Sequence, residues 1–143
     1  MPGYTKSVAA TAPAFQPEGQ ELACAWNRMT LTTGELTLNA VYPMVRLPRG
    51  AVVHDIVLKV TDMDTGAAGI ASVGVAGDTE RYIRRVSIQA AGTHRSGNDA
   101  TAAASMIAAV PLTAETTVDL LIQTAPGTAA AGTVDVAVYY TVE

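Results

Sequence analysis

A chain of 143 residues that is 49% hydrophobic is one domain with a real core, but aromatics make up only 5%, so that core must be built from Val, Leu, Ile and Ala. A net charge of −4 argues against nucleic acid as the main partner, because neutralising phosphates needs a basic excess. The single cysteine, Cys24, excludes an intrachain disulfide, and no apolar run is long enough to span a membrane.

Residues 1–20 carry Pro2, Pro13, Pro17, Gly3 and Gly19 and no sustained periodicity, which predicts an extended N-terminal arm or a disordered tail. Tyr4, Val8 and Phe15 are spaced along it as anchors. No export leader is expected, since Met1 to Lys6 has no apolar core behind a charge. The domain proper is expected over residues 21–143. Glu21 to Leu31, with the lone Trp26, reads as a first strand or a short irregular anchor. Glu35 to Tyr42 alternates as a strand. Pro43 and Pro48 bracket a piece that should be an edge strand or a bend, because proline cannot donate to a ladder. Ala51 to Thr61 is a strong strand, with His54 in its inward phase.

Asp62-Met63-Asp64-Thr65-Gly66 is a turn, Ile70 to Val75 a strand, and Ala76 to Thr79 a second turn. Glu80 to Gln89 is ambiguous between strand and short helix, and Ala91 to Asn98 is a polar, mobile loop. Asp99 to Ala109 is alanine-rich. Its propensity favours helix, but its surroundings favour strand, and we expect irregular structure. Pro111 to Ala125 is a strand. In the last segment Val134, Val136, Val138, Tyr140 and Val142 alternate against Thr133, Asp135, Ala137, Tyr139 and Thr141, one dry face and one wet one. Seven or eight strands at this spacing predict an all-β fold, an antiparallel β-sandwich or jelly roll.

Little in the chain reads as chemistry. His54 is expected to be a packing residue, His94 a surface residue, and Cys24 has no partner motif for a nucleophile. No phosphate loop, zinc spacing or dinucleotide fingerprint occurs, so neither enzymatic activity nor a cofactor is expected. Asp62, Asp64, Asp78 and Glu80 could hold Ca²⁺ if their turns shared one end of the sandwich, but acidic turn tips are common for conformational reasons alone. Arg81, Arg84 and Arg85 read as a solvated face or an ion-pair patch. Charged residues are only 15% of the chain, against about 25% in ordinary domains, which suggests that part of the surface is covered in use.

One stretch goes beyond generic pattern. Val45-Arg46-Leu47-Pro48-Arg49-Gly50-Ala51 leads into Val57-Leu58-Lys59-Val60, then Asp62-Met63-Asp64-Thr65-Gly66, then Val73 to Ile83 with its Gly77-Asp78 turn. Together with Thr113 to Leu120 and Thr124 to Ala129 it resembles the small structural proteins of tailed bacteriophages, in particular capsid cement or decoration proteins. The resemblance implies the jelly-roll-like form of the sandwich, and a virion protein on the capsid exterior, made in the host bacterial cytoplasm. It implies the major capsid protein as partner and a homo-oligomer, with a homodimer slightly favoured over a trimer. No nucleic acid or membrane partner is expected. Tyr4, Val8, Phe15 and Trp26 are the candidate capsid contacts. The alternatives are another virion component, such as a head–tail connector or tail protein, or a carbohydrate-binding sandwich module. The latter is poorly supported with one Trp and one Phe in the chain.

Overall fold

The computed structural model describes residues 21–108 and 110–143. Eight strands form in chain order: β1 (Ala23–Leu31), β2 (Val41–Leu47), β3 (Ala51–Val60), β4 (Ile70–Val75), β5 (Asp78–Ser87), β6 (Gly92–Arg95), β7 (Thr116–Thr124) and β8 (Gly132–Val142). One helix, α1 (Ala100–Ala108), lies between β6 and β7. The strands make two four-stranded sheets, ordered β1-β8-β3-β6 and β2-β7-β4-β5, with every pairing antiparallel. First pairs with last, second with seventh, third with sixth and fourth with fifth. That nesting is one long hairpin rolled into a sandwich, the jelly-roll arrangement.

The core follows from the alternation. Val134, Val136, Val138 and Tyr140 of β8 are fully buried, and Ile56 and Leu58 of β3 lie beside them at the matching positions. The second sheet answers with Val118, Leu120 and Ile122 of β7, Val73 of β4 and Ile83 of β5, all fully buried. Each such side chain contributes on the order of 2 kcal/mol relative to leaving it in water. The sandwich is closed along one side where β1 meets β2: Asn27 turns inward and its Nδ2 donates to the Met44 carbonyl at 2.9 Å.

Several expectations are corrected. The strand foreseen over Glu35–Tyr42 is instead a short 3-10 turn at Thr33–Glu35 followed by a bend, and pairing starts only at Val41. Asn39 sits at φ 64, a left-handed conformation that a strand does not contain. The alanine-rich piece expected to be irregular is α1. Asp99 caps it, its side chain accepting the Ala102 amide at 3.0 Å and its carbonyl the Ala103 amide at 2.8 Å. The polar loop expected at 91–98 contains β6, and the ambiguous segment after Glu80 is strand β5. The proline-bracketed piece is β2, which does lie at a sheet edge.

Candidate functional site

The outer face of the β1-β8-β3-β6 sheet carries the most distinctive surface. Cross-strand register sets its rows. Trp26, Ala137, Val57 and Arg95 form one row across all four strands. Cys24, Tyr139 and Asp55 form the row on one side of it, and Arg28, Asp135, Lys59 and Thr93 the row on the other. The middle row is largely apolar, and its flanks are held by ion pairs. Arg28 grips Asp135 through two hydrogen bonds of 2.7 and 2.9 Å. Arg95 pairs with Asp55, which also accepts the Ser96 hydroxyl at 2.7 Å. Trp26 is 46% exposed and Leu22, just ahead of β1, is 62% exposed. A hollow of about 250 Å³ on this face is lined by Leu22, His54, Asp55, Val57, Arg95 and Tyr139.

His54 reaches this face through a local irregularity that alternation did not foretell. Val53 pairs with Tyr140 and Asp55 with Tyr139, so His54 is an extra residue in a β-bulge. The bulge turns it outward, exposed, where its Nε2 lies 2.8 Å from the Thr141 hydroxyl. The inward position expected for it is taken by Val53. His94, expected at the surface, is half-buried opposite Leu58.

Cys24 is an exposed residue whose thiol its neighbours still partly desolvate. That desolvation raises its pKa, with the hydrogen bond to Tyr139 working the other way. A thiol held in its neutral form is a poor nucleophile.

The four carboxylates considered for Ca²⁺ are not brought together. Asp64 stands at the start of β4, where its Oδ2 accepts the amide of Gly69 at 2.6 Å. Asp78 pairs with Val75 at the far end of that strand. Six residues of strand, about 17 Å, run between them. Asp64 is fully buried, and its carboxylate is consumed by main chain. Oδ1 accepts Gly66 and Thr128 at 2.7 and 2.9 Å, and Oδ2 accepts Ala68, Gly69 and Gly127 at 2.9, 2.6 and 3.1 Å. The Thr128 amide, joined by those of Ala68, Gly69 and Gly127, holds its pKa far below the usual carboxylate range, against the opposing pull of burial. Its work is to tie the β3–β4 loop to the loop before β8.

Asp62 accepts the Asp64 amide at 3.1 Å. Glu80 lies between Arg84 at 3.4 Å and Arg85 at 3.1 Å. Partial burial works to raise the Glu80 pKa, but hydrogen bonds with Gln123 and Arg85 and the charges of Arg84 and Arg85 hold it below its ordinary value. Arg84 also faces Asp99 at 3.6 Å, so two of the three clustered arginines belong to an ion-pair patch beside α1. Among the described residues no group of three or more His, Cys, Asp or Glu is placed to hold a metal ion.

Of the candidate contacts, Trp26 is on the outer face, while Tyr4, Val8 and Phe15 lie outside the described residues. Sequence reasoning missed other exposed apolar side chains: Leu22 on the same sheet face as Trp26, Leu38 and Val41, and Ile107 and Val110 at the end of α1. Leu38 and Val41 flank the bend that replaced the expected strand, which is why alternation hid them.

No known protein family matches the sequence, and no curated protein matches it. Solved structures share the fold, two phage capsids among them. A chain of the cyanophage Pam1 capsid asymmetric unit superposes with a TM-score of 0.71 at 24% identity, over 87% of each chain. A chain of the capsid of Ralstonia phage GP4 superposes with a TM-score of 0.69 at 20% identity, over 90% of each chain. The likeness therefore extends over both sheets rather than one.

Proposed function

We propose that this chain is a structural protein of a tailed-phage virion, a cement protein that binds the outside of the icosahedral head and stabilises it by bridging major capsid protein subunits. The observation that carries the reading is the fold shared, over nearly nine-tenths of both chains, with components of two phage capsids. The apolar row with Trp26 on an otherwise ion-paired outer face supports it, because a large aromatic left in water suits an anchor for a partner. The chain acts without catalysis or a cofactor. It is made in the bacterial cytoplasm and assembles as a homodimer around a twofold axis. Such an isologous contact is the commonest way for two copies to close. Residues 1–20 form an extended arm that adds contact area, with Tyr4, Val8 and Phe15 as anchors.

The test is to add purified protein to particles lacking it and to measure sedimentation, copy number and the temperature of genome release. The expected result is many copies at symmetry-related positions on the shell and a raised release temperature. A few copies at a single vertex would instead make the chain a connector or tail component, and no binding would overturn both readings.

A further inference from the structure

We propose that the outer edge of β1 pairs antiparallel with β1 of a second copy across a twofold axis at Asn27, joining two β1-β8-β3-β6 sheets into one. The proposal rests on the homodimer proposed for this chain and names the surface that makes it. Unpaired main-chain groups along a strand edge invite another chain, so natural sheets blunt their edges. Among the described residues three of the four edges are blunted. β5 is covered: the Gly97 amide donates to the Tyr82 carbonyl at 2.9 Å, and the Asn98 side chain accepts the Arg84 amide at 2.8 Å and donates to the Arg84 carbonyl at 2.6 Å. β2 carries Pro43, slips register at Met44, and has the Met44 carbonyl taken by Asn27. β6 is only four residues long. β1 has none of these devices. It runs nine residues without a proline, in unbroken register with β8, its one strand partner among the described residues. Every second residue of β1 therefore turns its N–H and C=O away from β8.

Side-chain direction and charge select a second copy as the partner and set its register. Cys24, Trp26, Arg28 and Thr30 are the exposed, outward residues of β1. A twofold axis midway between two residues would set outward side chains opposite inward ones, so the axis passes through a residue. At Arg28 it would oppose two like charges, which destabilises a cross-strand pair. At Trp26 it would shorten the ladder and leave Arg28 opposite Cys24. At Asn27, the midpoint of β1, the whole strand pairs, and Trp26 of each copy lies opposite Arg28 of the other. Arg28 is already oriented by its two hydrogen bonds to Asp135, which leaves the guanidinium face for the indole, a cation–π contact made twice. The two outer faces then join, with their Trp26 rows end to end.

This register sets Thr30 opposite Cys24 of the second copy, and the test uses that pair in the full-length chain. With Thr30→Cys, a short bismaleimide should link position 30 of one copy to Cys24 of the other and give a covalent dimer. The parent, whose single cysteine is Cys24, and Thr30→Cys/Cys24→Ala should give none, because like positions then lie six residues of strand apart, about 20 Å. In sedimentation velocity Trp26→Lys, which faces Arg28 across the axis, should weaken the dimer about tenfold or more. Trp26→Glu, which offers Arg28 a carboxylate, should hold it within about threefold of the parent. Circular dichroism of both variants should match the parent. A parent that dimerises without the 24–30 link, or that loses the dimer equally with Lys and Glu, would overturn the β1 contact and leave the homodimer standing. A parent that sediments only as a monomer and forms no link would overturn both, the edge then being covered within its own chain.

Discussion

Replacing Tyr140 by phenylalanine should stabilise this protein. Tyr140 is fully buried and is the fourth inward side chain of β8, aligned with Ala23 of β1 and Val53 of β3. Its hydroxyl finds no hydrogen-bond partner among the described residues. Burial raises its pKa, as expected for a phenol whose charged form would be poorly solvated, and the nearby Cys24 thiol adds to the rise. A buried polar group without a partner costs about 1–3 kcal/mol, while the ring itself packs like any core aromatic. Tyr140→Phe removes the hydroxyl and keeps the ring. The expected gain is about 1 kcal/mol, or ~3 °C in Tm for a domain of this size. Urea unfolding followed by circular dichroism reads this as a higher midpoint at an unchanged slope. Tyr42→Phe is the matched control, because the Tyr42 hydroxyl donates to the Glu35 carbonyl. That variant should lose about 1 kcal/mol. A midpoint for Tyr140→Phe equal to or below that of the parent would refute the reasoning and show that the hydroxyl is hydrogen-bonded after all.

Asp64→Asn should destabilise strongly, because whichever way the amide turns, its NH₂ faces two or three of the five main-chain donors. The parent's stability should be fully present above about pH 4, where an unfolded Asp is ionised, and should fall at lower pH, since the folded state keeps this carboxyl ionised while the unfolded chain takes up a proton. Melting temperatures from pH 7 to 2.5 should show a flatter acid limb in the variant. Gly74→Ala should cost about 2 kcal/mol or more, because the main chain of Asp78 and Thr79 occupies the place of a Cβ, and chemical denaturation would measure it. Trp26→Ala should change stability by less than about 1 kcal/mol, given its exposure, but should weaken particle binding about tenfold or more in a sedimentation titration.

The strands that bury one face were legible in the sequence, because alternation is a local record of which side is dry. β3, β4, β7 and β8 lie within or on the segments read that way. Alternation is silent about which strand pairs with which, so a sandwich was readable and its nested strand order was not. Where a turn or helix depends on one residue's backbone angle or on a cap, alternation misled. Asn39 ended an apparent strand, and Asp99 started a helix in a stretch read as irregular. The outer-face surface was half legible. Trp26 stood out by its size, but His54 was read on the wrong face because a bulge shifts phase by one residue, and only the Tyr139–Asp55 pairing reveals it. The acidic turns were legible as turns, while their separation was not. Asp64 is spent on main-chain amides of two loops about sixty residues apart in sequence, a role set by where those loops meet in space. Composition and periodicity thus determined that this chain must stack sheets around an aliphatic core. Only the tertiary structure decided which polar and aromatic side chains share a surface, because cross-strand register, unlike strand propensity, is a property of distant segments meeting.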